Sequence, residues 1–298
     1  MNLKNEEVQK TNSEKDAVSV RPEKNTSPIV AALANDYPVL YLNPDHDSIE
    51  SYRMVVQRGE EPQRKTLDHY QGDVLDSDET VSSPAGPVRV ITLGNRHDFE
   101  LVIRGLMAAR EGPDAKVPES QVAAMLRVFN WPRIHAHLAG FPEPERNLEF
   151  KRFTSVKDNY LDRLVILSRG PYSHVDAAEA GFDETEWLQL SDTIRRYHEI
   201  THVICRRLFP ENIEAVRDEL VADAVGLVAA FGAFDPELEK KFLGIRDGRY
   251  TGGRLGNYTD EPEITAESVC TMLSRFEKVI RKPEWESPYD LIPPLMNL

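Results

Sequence analysis

The sequence predicts an α+β fold, with a small N-terminal mixed sheet followed by a mainly helical half. Two observations carry this expectation. Short apolar runs bounded by turn residues fall within residues 28–180, and from residue 181 apolar residues recur at helical spacing. Strands early and helices late are not the alternating order of a doubly wound parallel sheet.

The elements follow in order. Residues 1–27 are polar and lack periodicity, and they read as a disordered tail. Residues 28–298 then form one domain, with a sheet-containing part at 28–180 and a helical part at 181–298. Pro38–Leu42 reads as a strand closed by Asn43-Pro44, and the acid-, Ser- and Pro-rich residues 60–87 read as a long loop. Val88–Leu93 is a second strand. Asn95 caps a helix from Arg96 to about Arg110. Pro118 opens a helix carrying Ala123, Leu126 and Val128, and Pro132 breaks or restarts it before Ile134 and Leu138. Leu164–Leu167 is a third strand, followed by the loop Ser168–Tyr172.

Asp183 with Glu186 three residues on is a capping-box arrangement for a long helix reaching Phe209, where Pro210 stops it. A second helix runs from about Glu211 to Phe231, with Gly232 as its left-handed end. Asp235-Pro236 starts a short helix, and Gly252, Gly253 and Gly256 mark a loop. Thr265 caps a last helix to about Ile280, and Trp285 anchors the tail.

Composition narrows function without choosing it. Lys and Arg number 36 against 50 Asp and Glu, a formal net charge of −14. Phosphate surfaces are bound by basic patches, so neither nucleic acid nor an anionic membrane is expected as partner. Cys205 and Cys270 are too few for a disulfide framework, and no apolar run approaches the roughly 20 residues of a membrane span. The first residues lack the apolar stretch of a signal peptide, so a cytoplasmic protein is expected. Nothing in the sequence sets an oligomeric state.

The chemistry concentrates in His198-Glu199-Ile200-Thr201-His202, an H-E-x-x-H motif on the long helix. Histidines four apart share a helix face one turn apart, so both imidazoles reach one metal ion. Glu199 stands about 100° round from His198, placed to take a proton from water beside the metal. Leu190, Ile194, Tyr197, Thr201, Ile204 and Leu208 form the apolar stripe, and the histidines border it. Catalytic zinc takes three protein ligands, so a third is required. The next helix offers Glu219 and Asp223, four apart on one face. Glu219 is expected as the third ligand and Asp223 as acceptor of a ligand histidine's N–H; Asp218 and Asp223 are the alternatives to Glu219.

HEITH followed by Glu219-x-x-Ala222-Asp223 resembles the gluzincin clan of zinc metallopeptidases, and its ELVAD spelling is similar to that of the HtpX-like peptidases. The sixteen residues between His202 and Glu219 resemble thermolysin in compactness. The resemblance covers residues 190–230 and implies a zincin-like half with an active-site helix and a glutamate helix. It also implies a zinc cofactor, a peptide or protein substrate laid along a sheet edge, and a donor to the reaction's oxyanion. Leu164–Leu167 is the candidate edge. Tyr172, His135, His137, Arg254 and Tyr258 are the candidate oxyanion stabilisers. The alternatives are a regulatory or non-catalytic metal-binding protein on a degenerate zincin fold, and a di-iron carboxylate protein. The latter lacks its second E-x-x-H.

Overall fold

The computed structural model describes residues 27–111, 116–119, 121–281 and 285–298. Residues 1–26 of the expected tail lie outside the described residues. Ser27 caps the first helix, α1 (Pro28–Asp36), by accepting the Val30 N–H. α2 (Ile49–Tyr52) runs on into a π-helical turn at Arg53–Gln57. Next come β1 (Ser77–Ser83), β2 (Gly86–Leu93), α3 (Arg96–Glu111), β3 (Ala123–Phe129), α4 (Trp131–Ala139), α5 (Glu143–Thr154) and β4 (Leu161–Ser168). The second half holds α6 (Ala177–Ala180), α7 (Glu184–Leu208), α8 (Ala215–Phe231), α9 (Pro236–Leu243), β5 (Ile245–Arg246), β6 (Arg249–Tyr250), α10 (Pro262–Ile280) and α11 (Ile292–Met296).

The fold is α+β, as expected. Its main sheet is mixed, in the order β1-β2-β4-β3, with β2 and β4 parallel and both outer pairs antiparallel. The two central strands carry apolar residues on both faces because both faces are covered. Val88, Val90, Val165 and Leu167 pack with Ile200, Val203 and Ile204 of α7 and with α8 and α10. Ile91, Leu93, Leu164 and Ile166 face the opposite way, into a core shared with α1 and α3.

Several expectations are corrected. Pro38–Tyr41 is a 3-10 turn, not a strand: proline presets a helical φ at its start, and Val39 and Leu40 are buried in the core that α1 and α3 share with one face of the sheet. The expected loop 60–87 contains β1, an edge strand of polar residues that shows no apolar alternation. The segment opened by Pro118 is β3, not a helix. Its inward residues Ala124 and Val128 follow the strand period of two, and the spacing of Ala123, Leu126 and Val128 suggested the wrong one. Pro132 lies in the first turn of α4, the restart of the two alternatives, with Asn130 accepting the Arg133 N–H.

α8 begins at Ala215, after a 3-10 turn at Pro210–Asn212, with the Glu214 side chain as its cap. α10 begins at Pro262, so Thr265 sits inside it and returns its hydroxyl to the Glu261 carbonyl. Leu164–Leu167 lies in β4, flanked by β2 and β3, and is therefore not an edge.

Asn95 accepts the His97 N–H at the start of α3, and Asp183 accepts the Thr185 and Glu186 N–H groups at the start of α7. Gly232 ends α8 at φ 70°. The Trp285 indole donates to the Ile280 carbonyl. Among the described residues no helix is long and apolar enough to cross a membrane.

Candidate metal centre

α7 and α8 form an antiparallel pair in close contact. Their register brings Ile194 against Gly226, His198 against Asp223, and His202 against Asp218. A Cβ on Gly226 would lie 2.7 Å from the Ile194 carbonyl oxygen, so only glycine allows the two backbones this approach.

That approach assembles three donors. His198 Nε2 and His202 Nε2 are 3.0 Å apart. Glu219 Oε2 is 3.4 Å from the first, and Glu219 Oε1 is 3.5 Å from the second. Each imidazole is oriented from behind. His198 Nδ1 donates to Asp223 Oδ1 at 2.7 Å, and His202 Nδ1 donates to Asp218 Oδ2 at 2.8 Å. With the proton on Nδ1, each Nε2 carries a lone pair, and the two lone pairs converge on one point. Two acceptors at that separation repel unless a cation lies between them. Around a tetrahedral ion with bonds of about 2.0–2.1 Å, donors sit ~3.3 Å apart, close to all three separations here. The buried His198–His202–Glu219 group is suited to hold a metal ion.

The carboxylates are tuned by this arrangement. Burial pushes the Glu219 carboxyl up, but His198 and His202, when their imidazoles are protonated in the absence of an ion, and the charge of Arg254 outweigh it and hold it well below the usual range. Glu239 on α9 is fully buried, and neither carboxyl oxygen has a hydrogen-bond partner. Burial, and then the charge of Glu219, push it well above the usual carboxylate range.

Glu199 lines a cleft of about 840 Å³ together with His198, His202 and Glu219. Among the described residues it makes no hydrogen bond or ion pair, so its carboxylate is available to water. The facing wall contains Gln121 to Leu126, so the edge strand beside the donors is β3, not the expected segment.

Of the five candidate oxyanion donors, three reach the cleft and two do not. His135 Nε2 bonds to the Gln57 carbonyl, and His137 stacks on Phe153, both on α4 away from the donors. Tyr172 arrives but is engaged: its hydroxyl donates to Asp223 Oδ1 at 2.5 Å and accepts from Arg254 at 3.0 Å. Burial raises its pKa, so it stays a neutral donor. Arg254 also pairs with Asp223. Tyr258 lies on the cleft wall beside Glu219, and burial raises its phenol. Arg254 and Tyr258 are delivered by a tight approach in which a Cβ on Gly244 would meet the Gly252 carbonyl oxygen at 2.2 Å.

Sequence reading missed the placement of five neighbours. Asp218 entered it only as an alternative ligand; the hairpin register is what pairs it with His202. Arg195 and Arg206 also face the cleft, three residues before His198 and four after His202. Ser173 and His174 on the cleft lip have left-handed backbones, φ 52° and 57°. Three bonds from α7 hold that lip: Arg195 to the Gly170 carbonyl, Ser191 Oγ to the Tyr172 N–H, and Trp187 to the Val175 carbonyl. Strain of this kind persists only where the surroundings over-determine it. The His174 signal was readable only as a histidine near the SRGPY loop.

A family model described as a family of unknown function (DUF7005) matches residues 27–282. No curated protein and no solved structure matches the chain.

Proposed function

The chain belongs to the family of unknown function DUF7005, and from its own site we propose that it is a zinc-dependent hydrolase that cleaves peptides. The observation that carries this reading is the donor triangle itself. Two Nε2 lone pairs and one carboxylate converge in an open cleft, with unpaired Glu199 beside them. Three protein donors at a cleft match a catalytic zinc site better than a closed four-ligand structural one. The resemblance of HEITH and ELVAD to the gluzincins supports the same reading.

Zinc, when bound, supplies Lewis acidity that polarises a carbonyl and makes water a nucleophile at neutral pH. The chain's residues do the rest. His198, His202 and Glu219 hold the ion. Asp223 and Asp218 fix the two imidazoles in the tautomer that presents Nε2. Glu199 takes the proton from the attacking water and passes it to the leaving amine. Tyr258 and His174, on the two sides of the cleft, are the groups positioned to donate to the developing oxyanion. An extended substrate pairs with the outer edge of β3, as strand addition requires.

Glu199→Gln tests the mechanism. It is expected to retain zinc at wild-type stoichiometry and to lower kcat by about 10²–10⁴-fold, the usual contribution of a general base. Turnover of a peptide library that survives this change, read by mass spectrometry, rules the mechanism out.

A further inference from the structure

Among the described residues, the cleft around the donors is lined by three arginines, Arg195, Arg206 and Arg254, and by two acids, Glu199 and Glu219. A divalent ion would offset both acids, leaving the charge of the lining to any arginine that no carboxylate of its own closely balances. The three arginines are not equivalent. Arg195 is held by Asp192 and the Gly170 carbonyl, and Arg254 by Tyr172 and Asp223. Arg206 is loosely held. Its side chain is 43% exposed, and its contacts are Met125 Sδ at 4.0 Å and Asp218 Oδ2 at 3.8 Å, an oxygen already taken by His202.

Arg206 also stands in a telling place. It is one helical turn beyond His202, a rise of about 5.4 Å, and it touches Met125 on the edge strand. An extended chain advances about 3.3 Å per residue, so a chain lying along β3 passes Arg206 within about two residues of the donors. A guanidinium offers a planar fork that matches a carboxylate and gives charge-assisted hydrogen bonds. We propose that Arg206 receives a substrate carboxylate carried within about two residues of the bond that is cleaved. This rests on the peptidase reading. The carboxylate has two sources, the end of a peptide or an acidic side chain.

The test is binding to the zinc-loaded full chain carrying Glu199→Gln, measured by calorimetry. One probe pair is N-acetyl-tetra-alanine as free acid and as amide. The other is N-acetyl-Ala-Ala-Glu-Ala amide and its Gln counterpart. At least one acid is expected to bind ten-fold or more tighter than its neutral twin, and the pair that shows this identifies the source. Adding Arg206→Gln is expected to abolish the difference, and Arg206→Lys to keep part of it, with zinc content and Tm unchanged. Equal affinity within both pairs, or no measurable binding of any probe, overturns the proposal. So does a preference that survives Arg206→Gln, because the ion itself then captures the carboxylate. Failure of the peptidase reading looks different: the wild type leaves all four probes intact while the Arg206-dependent preference stands.

Discussion

At the scale of single residues, the two carboxylates behind the histidines do unequal amounts of ordering. Asp218 serves His202 and stands 3.8 Å from Arg206, whereas Asp223 serves His198, Tyr172 and Arg254 together. Removing an outer-shell carboxylate generally costs 10–100-fold in metal affinity. Asp218→Asn is expected near the lower figure, about 10-fold. Asp223→Asn is expected near the upper, about 100-fold, because it also strips the anion from the half-buried Arg254 guanidinium. Competition with a chromophoric chelator gives both constants, and equal losses would contradict the asymmetry. The grouping of His198, His202 and Glu219 was legible in the sequence because these residues share two helices joined by one short turn, although spacing left Asp218 and Asp223 as alternatives to Glu219. Tyr172, Arg254 and Tyr258 could not be told from His135 and His137, since contacts between distant segments decide which of them meet.

At the scale of elements, Gly226 sets the distance between α7 and α8 and so the size of the donor triangle. Gly226→Ala has to move the Ile194 backbone, and overpacking of this kind costs about 1–3 kcal/mol. The expected result is a lower Tm together with weaker zinc binding, seen by thermal denaturation with and without the metal. A stability loss with wild-type zinc affinity would mean that the triangle adjusts independently of helix spacing. Asp162 on β4 plays a different part: it joins Tyr37, Asn130 and Arg133, tying the N-terminal layer to the sheet. Burial raises its carboxyl, but hydrogen bonds from Asn130, Tyr37 and Arg133 outweigh this and depress it. A depressed carboxyl contributes stability that is present above its unfolded pKa of about 3.9 and is lost as pH falls through the folded value. Asp162→Asn is therefore expected to destabilise the protein at pH 7 by about 2 kcal/mol and to lose less stability on acidification below pH 4 than the wild type. Urea denaturation across pH 2–7 provides the comparison. α7 was legible because its cap, stripe and stop agree. β1 and β3 were not, because one carries no apolar period and the other mixes two.

At the scale of the whole molecule, an ion held by His198, His202 and Glu219 would link α7 to α8, and both helices pack on the sheet and on α10. An ion held at 100 times its Kd adds about 2.7 kcal/mol to stability, so chelation by excess EDTA is expected to lower Tm by roughly 5 °C. A Tm that ignores chelator and added zinc alike would argue that nothing binds the triangle. The hairpin also bears on the order in which the molecule is made. All three donors and both orienting aspartates lie between His198 and Asp223, while the cleft's far lip at Arg254 and Tyr258 is synthesised later. Helical hairpins form quickly because their contacts are local. The nascent chain thus completes the donor triangle before it acquires the far wall of the cleft.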